Sequence, residues 1–570
     1  MSKKLLALVL ALAMLIAMGA TASANYYSDL LPAVRTMPGD FTGKTIILHT
    51  NDVHGAIDGY AYMPALRDKF KAMGASDVIL VDAGDFSRGT TYVNVNKGAA
   101  ATELMSLAGY DIVALGNHDF DYGYVQLMEN LGGEKSFFPI CADVTLDETG
   151  ELILPASHTF VSGSDENVLK IAFVGLTTPE TATKVHPGLI QEISFAAFDD
   201  LYKSAQAAVD AVRADNDLVI GVFHMGVDIE SAANGYRSVD VLDKVTGFDF
   251  VIDGHSHTVM TGAEGGKPVQ STGTQFAYIG VVVIDDATKT VEDSFLLSTD
   301  GLAKDETVAA RAQEIMDEID AVYNNTFATS EVLLNGEKAP GNRTEETNLG
   351  DLICDAMVWQ VVKEGGIEQV EPNQVVGVTN GGGIRATIEP GDITMKDINT
   401  VLPFGNTVAV IYVTGEELQE ALEASTFCTP DPIGGFPQTS GIVWTLDTTE
   451  AFDQGDIYTL NGKETSYYAP ASIKRVRIEF VNGEPFDPAA TYAVVTNNFC
   501  AAGGDTYNVF NRAYSAGAGF DTGIPMDEAV VAYISSELEG TIKADMYGAP
   551  RGTLSIVTAE AAEEEVAPAA

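Results

Sequence analysis

Five apolar runs in the first half of this chain end in residues able to bind a metal or carry a proton. TIILHT is followed by Asn51-Asp52-Val53-His54-Gly55, VILV by Asp82-Ala83-Gly84-Asp85, and DIVAL by Gly116-Asn117-His118-Asp119. LVIGVF ends in His224, and FDFVID leads into Gly254-His255-Ser256-His257. Imidazole, carboxylate and carboxamide without sulfur form a ligand set for two divalent cations such as Zn²⁺, Mn²⁺, Fe or Co²⁺. Two ions need a shared anionic ligand, and Asp85, alone at the end of its run, suits that bridge. Ions ~3.5–4 Å apart clamp a phosphoryl group and supply hydroxide at neutral pH. The glycines beside these residues permit tight turns and close backbone approach. His49, His158 and His186 lie outside the pattern and read as structural.

Strands must deliver these side chains to one place. TIILHT (45–50), VILVDAGD (78–85), DIVALGNHDF (111–120), IAFVGLTT (171–178), LVIGVFHMG (218–226) and FDFVIDGHSH (248–257) are β-branched runs of strand length. Each stops at Gly, Asp, Asn or His. Helix-like segments such as Tyr202 to Ala214 lie between them. Strand, polar loop and helix in repetition predict a layered α/β domain, whose strand carboxyl ends converge on one crevice. Residues 304–322 are charged, Ala-rich and helical in period, without a strong apolar stripe, which predicts an exposed connecting helix. Beyond a Gly/Pro/Asn-rich patch at 335–342, strands alternate with glycine turns (VVGVTNGGGIR, TVAVIYVTGEEL, RVRIEFVNGEPF, TYAVVTNNF), an α+β texture. All eight histidines lie between His49 and His257, so the metal chemistry belongs to the first half. No internal repeat supports a solenoid.

At 570 residues two large domains are the natural expectation. Against 32 Lys+Arg stand 81 Asp+Glu, a net charge of -49. Such a surface repels nucleic-acid polymers and anionic membranes. It also repels small phosphates, so a phosphate site has to be assembled from local cations. Lys3 and Lys4, the apolar run Leu5 to Met18 and Ala22-Ser23-Ala24 predict a signal peptide cleaved near Ala24 and a secreted, periplasmic or cell-envelope protein. No other hydrophobic stretch reaches spanning length. The last residues, AEAAEEEVAPAA, form a low-complexity acidic tail, expected to be disordered. Cys141, Cys354, Cys428 and Cys500 form no CxxC, so a thiolate metal site is not expected and disulfide pairing stays open.

Taken in order, the DxH of ILHTNDVHG, the GD of VDAGD, GNHDFD, the His of FHMG and GHSH resemble the signature of the calcineurin-like metallophosphoesterases. ILHTNDVHG together with GLTTPET (175–181) resembles the 5′-nucleotidase branch, over residues 44–300. The resemblance implies one metal on Asp52, His54, Asp85 and His257, and a second on Asp85, Asn117, His224 and His255. It implies that His118 stabilises the transition state and protonates the leaving oxygen, with Asp121 orienting it. Asp119, often Glu in relatives, receives no direct role. The implied mechanism is in-line attack of metal-activated hydroxide on phosphorus, without a phosphoenzyme. Nothing resembles a Ser nucleophile elbow, and NGGGIR lacks the GK[ST] of a P-loop.

In the His-free half, Arg343 and Arg385 beside glycine turns suit anion recognition by a guanidinium fork. An aromatic pair on loops can sandwich a base, and Asp505 can accept hydrogen bonds from ribose hydroxyls. RTEETNLGDL, NGGGIR, LPFGN and NNFCAAGGD together resemble the 5′-nucleotidase C-terminal domain over residues 333–556. That resemblance implies a base clamp of Phe404 and Phe499, a base contact at Asn406 and a ribose contact at Asp505. Arg343 and Arg385 become nucleotide-binding arginines, with Asn380 beside them. Ala339 departs from the UDP-sugar hydrolase type, which carries a second Arg four residues before the position of Arg343. The departure favours nucleoside monophosphates over diphosphates and UDP-sugars.

The implied organisation is a signal peptide (1–24), an α/β/β/α metallophosphoesterase domain (42–300), a linker helix (301–332), an α+β nucleotide-binding domain (333–556) and an acidic tail (557–570). In the family the second domain rotates about the linker to bring substrate to the metals. The expected function is an exported two-metal 5′-nucleotidase. A 2′,3′-cyclic-nucleotide phosphodiesterase or a UDP-sugar hydrolase is the alternative on the same scaffold. An inactive nucleotide-binding surface protein is a reading of another class, against which the intact ligand set and His118 stand.

Overall fold

The computed structural model describes residues 39–558 apart from 164–167, 186–188, 233, 365, 366, 368 and 461. The expected signal peptide, His186 and nearly all of the acidic tail lie outside the described residues. The first half contains, in chain order, β1 (Lys44–Thr50), β2 (Asp77–Asp82), β3 (Ile112–Ala114), β4 (Phe138–Ile140), β5 (Val144–Leu146), β6 (Ser157–Ser162) and β7 (Leu169–Thr177). It continues with β8 (Ile193–Phe195), β9 (Leu218–His224), β10 (Phe250–Ile252), β11 (Val259–Ala263), β12 (Lys267–Thr272), β13 (Tyr278–Asp285) and β14 (Thr290–Ser298). Two six-stranded sheets result, β14-β13-β1-β2-β3-β4 and β11-β12-β10-β9-β7-β6, with β5 and β8 as a separate ribbon. β1 to β4 run parallel in the first sheet, and β7, β9, β10 and β12 in the second.

The strands read as unbroken apolar runs because both faces are covered. In β1, Ile47 points between the sheets with Ile79, Val81, Phe173, Ile220 and Val222. Its neighbours Ile46 and Leu48 point the other way, into a helical layer with Leu66, Phe70 and Leu104. On the outer face of the second sheet, Val174, Val219 and Val251 pack with Leu201, Ala205 and Val209 of the helix Asp199–Arg213. The layers are therefore α/β/β/α.

The helix Glu306–Tyr323 starts where the Asp305 side chain accepts from the backbone N–H groups of Thr307 and Val308. It is not exposed all round, as its composition suggests. Val308, Ala312 and Ile315, spaced four and three apart, make a narrow stripe buried in the first helical layer. Near its end, Asp320 accepts from Lys396 Nζ (2.8 Å) and from the Tyr92 hydroxyl (3.1 Å), joining helix, first half and second half.

The second half is α+β. Its five-stranded sheet runs Pro437–Ser440, Val375–Asn380, Thr491–Asn497, Thr407–Thr414, Gly519–Pro525. The helix Asn348–Glu364 covers one face through Leu352, Ile353 and Met357, and Gly415–Ala424 the other through Leu418 and Leu422. Val375–Asn380 is parallel to Thr491–Asn497, and Thr407–Thr414 is antiparallel to it. The carboxyl ends of the first two and the start of the third therefore share one edge. Cys141, Cys354, Cys428 and Cys500 are all free thiols. Among the described residues no helix is long and apolar enough to cross a membrane.

Candidate active site

The loops after β1, β2, β3, β9 and β10 meet at one edge of the two sheets. Asp52, His54, Asp85, His255 and His257 all have left-handed backbone, with φ between 45° and 78°. That region is uncommon for residues other than glycine, and such conformations cluster where function requires them. Glycines let the loops touch. A Cβ on Gly84 would lie 2.3 Å from the backbone nitrogen of Gly116, and one on Gly116 would lie 2.2 Å from Asp85 Oδ1. Asp119, for which the sequence suggested no direct role, ties these loops together. Its carboxylate accepts from the backbone N–H groups of Gly116 (2.8 Å), Ser87 (2.9 Å), Asp85 (3.0 Å) and Phe86 (3.1 Å).

Two groups of ligand atoms form, Asp52–His54–His257 and Asp52–Asp85–His224, each within 4.8 Å. Asp85 Oδ2 lies 3.1 Å from His224 Nε2 and 3.6 Å from His54 Nε2, so it too faces both groups. His54 Nδ1 sits 2.9 Å from the Arg88 carbonyl and His224 Nδ1 2.7 Å from the Ala83 carbonyl. An N–H on each of those nitrogens aims Nε2 at the carboxylates, the orientation of metal-binding histidines. The Nε2 atoms of His54 and His257 are 3.0 Å apart. The Nε2 of His224 is fully buried and faces Asp85 Oδ2. Converging lone pairs and buried carboxylates fit divalent cations.

The charges agree. Burial pushes the imidazoles of His54 and His257 down, to about 3 and about 4. Burial acts on His224 in the same sense, but Asp85 and Asp52 outweigh it and hold His224 up at about 10. Burial would raise the Asp52 carboxyl, yet His224 and His257 bring it below the usual carboxylate range. Two buried carboxylates demand positive charge between them.

Asn117 Oδ1 lies 2.8 Å from His255 Nδ1, and Glu180 Oε2 3.0 Å from His255 Nε2. Glu180 belongs to the GLTTPET stretch, yet nothing in the sequence linked it to His255. Its carboxylate, 1% exposed, turns Nδ1 of that ring toward Asn117. His118 donates its backbone N–H to Asp85 Oδ1 (2.7 Å), while its Nδ1 lies 2.8 Å from Asp121 Oδ2. With Nδ1 engaged, Nε2 is the atom His118 offers to the cavity. Of the remaining histidines, His49 is buried against Gln270, and His158 stacks on Phe138.

A cavity of about 280 Å³ runs from this edge into the second half. Asp85, Asn117, His118, Asp121, His255 and His257 line one end, with Asp52, His54 and His224 buried beneath. Arg343, Asn380, Arg385, Phe404, Asn406, Phe499 and Asp505 line the rest, so the two sets of sequence-derived candidates share one space. Lys184 and Lys338 also line it, and no sequence pattern points to them. Together with Arg343 and Arg385 they form a local cationic wall in a strongly acidic protein. Burial and the charge of Arg343 bring Arg385 down to about 10.

The second half holds its residues by an amide chain. Asn497 caps its helix by accepting from Cys500 N–H (2.8 Å) and donates to Asn380 Oδ1 (3.0 Å). Asn380 in turn donates to Asp505 Oδ2 (2.9 Å), and Lys184 Nζ lies 3.5 Å from Asp505 Oδ1. The Asp505 N–H donates to the Thr183 carbonyl (2.8 Å), so this residue is docked on the first half.

Comparison with known proteins agrees with this geometry. Residues 45–259 match the calcineurin-like phosphoesterase family, and residues 326–512 match the 5′-nucleotidase C-terminal domain. Fold and site define a metal-dependent phosphoester hydrolase of the calcineurin-like class. The combination of the two matched domains places the chain in the 5′-nucleotidase family, to which it belongs. It is 27% identical over 572 residues to human 5′-nucleotidase, covering 90% of this chain and 92% of that one. It is 30% identical over 524 residues to the trifunctional nucleotide phosphoesterase YfkN of Bacillus subtilis. That match takes in 84% of this chain but spans only 33% of the relative. The structure of a 5′-nucleotidase precursor from Thermus thermophilus superposes with a TM-score of 0.72 at 27% identity, covering 90% of this chain and 99% of that one.

Proposed function

We propose that this protein is an exported 5′-nucleotidase that releases phosphate from nucleoside 5′-monophosphates. The observation that carries the reading is the single cavity with Asp/His ligands at one end and Phe404, Phe499 and Asp505 at the other. In this reading Asp52, His54, Asp85 and His257 hold one divalent ion, and Asp85, Asn117, His224 and His255 the other. When bound, the ions supply charge neutralisation and an activated water at neutral pH. His118, oriented by Asp121, hydrogen-bonds a phosphoryl oxygen and gives its proton to the leaving 5′-oxygen. Arg343 and Arg385 hold the phosphate. Phe404 and Phe499 clamp the base with Asn406 at its edge. Asp505, positioned by Asn380, takes the ribose hydroxyls. Residues 42–300 form the catalytic unit, 301–332 the link and 333–556 the substrate unit. Residues 1–24 direct export.

One observation favours a second substrate class. Lys338, next to Ala339, lines the cavity and places a cation beside the position where the UDP-sugar hydrolase type carries its extra Arg. Nucleoside diphosphates and their sugar esters are therefore the competing substrates.

The test is phosphate release by the purified mature protein after chelation and after return of Mn²⁺ or Zn²⁺. The panel is AMP, ADP, UDP-glucose, 2′,3′-cyclic AMP and p-nitrophenyl phosphate, with added phosphatase for the diesters. Metal-restored activity led by AMP is expected. A lead by UDP-glucose or the cyclic nucleotide would keep the site and replace the substrate.

A further inference from the structure

The two jaws facing the base are held differently. Phe499 rests on its own half, where a Cβ on Gly504 would lie 2.3 Å from its ring. Phe404 sits half-buried on a turn beside the exposed Gly405, and its ring packs against His118 of the other half, centroids 5.4 Å apart.

Arg88 stands at this junction, 2% exposed. Its guanidinium carbon lies 4.7 Å from the ring centre of Tyr122 and 4.8 Å from that of Phe404, between a ring of each half. One terminal nitrogen donates to the Pro403 carbonyl. Nε has no hydrogen-bond partner and lies 3.9 Å from Asp121 Oδ2. Through its own carbonyl, Arg88 engages the ring of His54 (2.9 Å). A planar guanidinium can stack on two rings and donate in its plane at once, which an ammonium cannot. A buried cation needs those partners, and two of them, Pro403 and Phe404, are present only when the halves meet.

We propose that Arg88 is a positioning residue that docks the turn 402–406 onto the catalytic turn and so sets the Phe404 ring over His118. The proposal rests on the reading of this cavity as a nucleotide site. It makes the base clamp asymmetric, with Phe499 a fixed jaw and Phe404 a jaw placed by the catalytic half on closure.

The test compares wild type, Arg88→Lys, Phe404→Leu and the double variant. KM and kcat are measured on AMP and p-nitrophenyl phosphate, and amide hydrogen exchange across 402–406. Arg88→Lys is expected to raise KM for AMP about tenfold or more, the scale of a lost desolvated cation–π contact, with a clearly smaller effect on the aryl phosphate. Exchange across 402–406 should accelerate, and adding Phe404→Leu should bring little further loss. Losses that multiply in the double variant, equal losses on both substrates, or unchanged exchange would overturn the proposal. Failure of the nucleotidase reading shows separately, as wild type without preference for AMP. Exchange then decides alone. If Arg88→Lys does not fold, Phe404→Leu reads the same contact with Arg88 in place, and unchanged exchange in it overturns the docking.

Discussion

His118 is tied to both sides of the chemistry: its backbone N–H donates to Asp85 Oδ1 at 2.7 Å while its ring Nδ1 faces Asp121 Oδ2 at 2.8 Å. The peptide group fixes the residue to the buried Asp/His cluster, and the ring faces elsewhere. A ring engaged through Nδ1 by a carboxylate keeps its tautomer and its direction. It is thereby separated from His54 and His224, whose Nδ1 atoms face carbonyls and whose Nε2 atoms point at carboxylates.

His118→Ala should therefore leave metal content near normal and lower kcat by roughly 10²–10⁴, the range for loss of a general acid. Metal analysis of the purified variant beside its turnover checks this. Loss of both ions in the variant would make His118 a ligand and the assignment wrong.

Asp119→Ala should act oppositely. It removes the acceptor for four backbone N–H groups in the loops that carry Asp85 and Asn117. A buried donor left unpaired costs about 1–3 kcal/mol, so those loops should loosen and the Tm should fall. Metal occupancy and turnover should drop together and recover together in excess metal. Normal occupancy with low turnover would instead assign Asp119 a direct part in the reaction.

Phe499→Ala and Gly504→Ala should share one signature. The first removes the fixed jaw, and the second drives a methyl to 2.3 Å from its ring and displaces it. Base–aromatic stacking contributes about 1–3 kcal/mol, so KM for AMP should rise about five- to a hundredfold. Hydrolysis of p-nitrophenyl phosphate should change far less. An equal loss on both substrates in either variant would sink the clamp.

The convergence at this end of the cavity was legible because its residues end strands, and a strand end is a local pattern of apolar run, glycine and polar side chain. Asp52, His54, Asp85, Asn117, His224, His255 and His257 all come together on that basis. Asp119 stood in plain view, but its partners are backbone N–H groups, which no residue pattern displays. Glu180, Lys184, Lys338 and Arg88 act through contacts between segments far apart in sequence. Their positions follow from how the loops and the two halves meet. The stripe of Val308, Ala312 and Ile315 was hidden because Ala-rich helices carry weak apolar contrast on every face.

Asp143 gives a pH prediction away from the metals. It is buried, accepts from Thr177 N–H at 3.2 Å and from Cys141 Sγ at 3.3 Å, and burial pushes its carboxyl up to about 7 despite those bonds. In the unfolded chain an Asp titrates near 3.9. Between those values the unfolded state binds fewer protons than the folded one, so this residue lowers stability as pH rises from about 4 to about 7. Above that window the penalty is constant, and below it there is none. Asp143→Asn removes the titration, while any cost of its new amide is the same at every pH. The Tm of the variant minus that of wild type should therefore climb by several °C between about pH 4 and 7 and then level off, as a linkage of about 4 kcal/mol does in a chain of this size. Thermal unfolding of both proteins across that range is the measurement. A difference that stays flat, or falls with rising pH, would mean that Asp143 is ionised in the fold throughout.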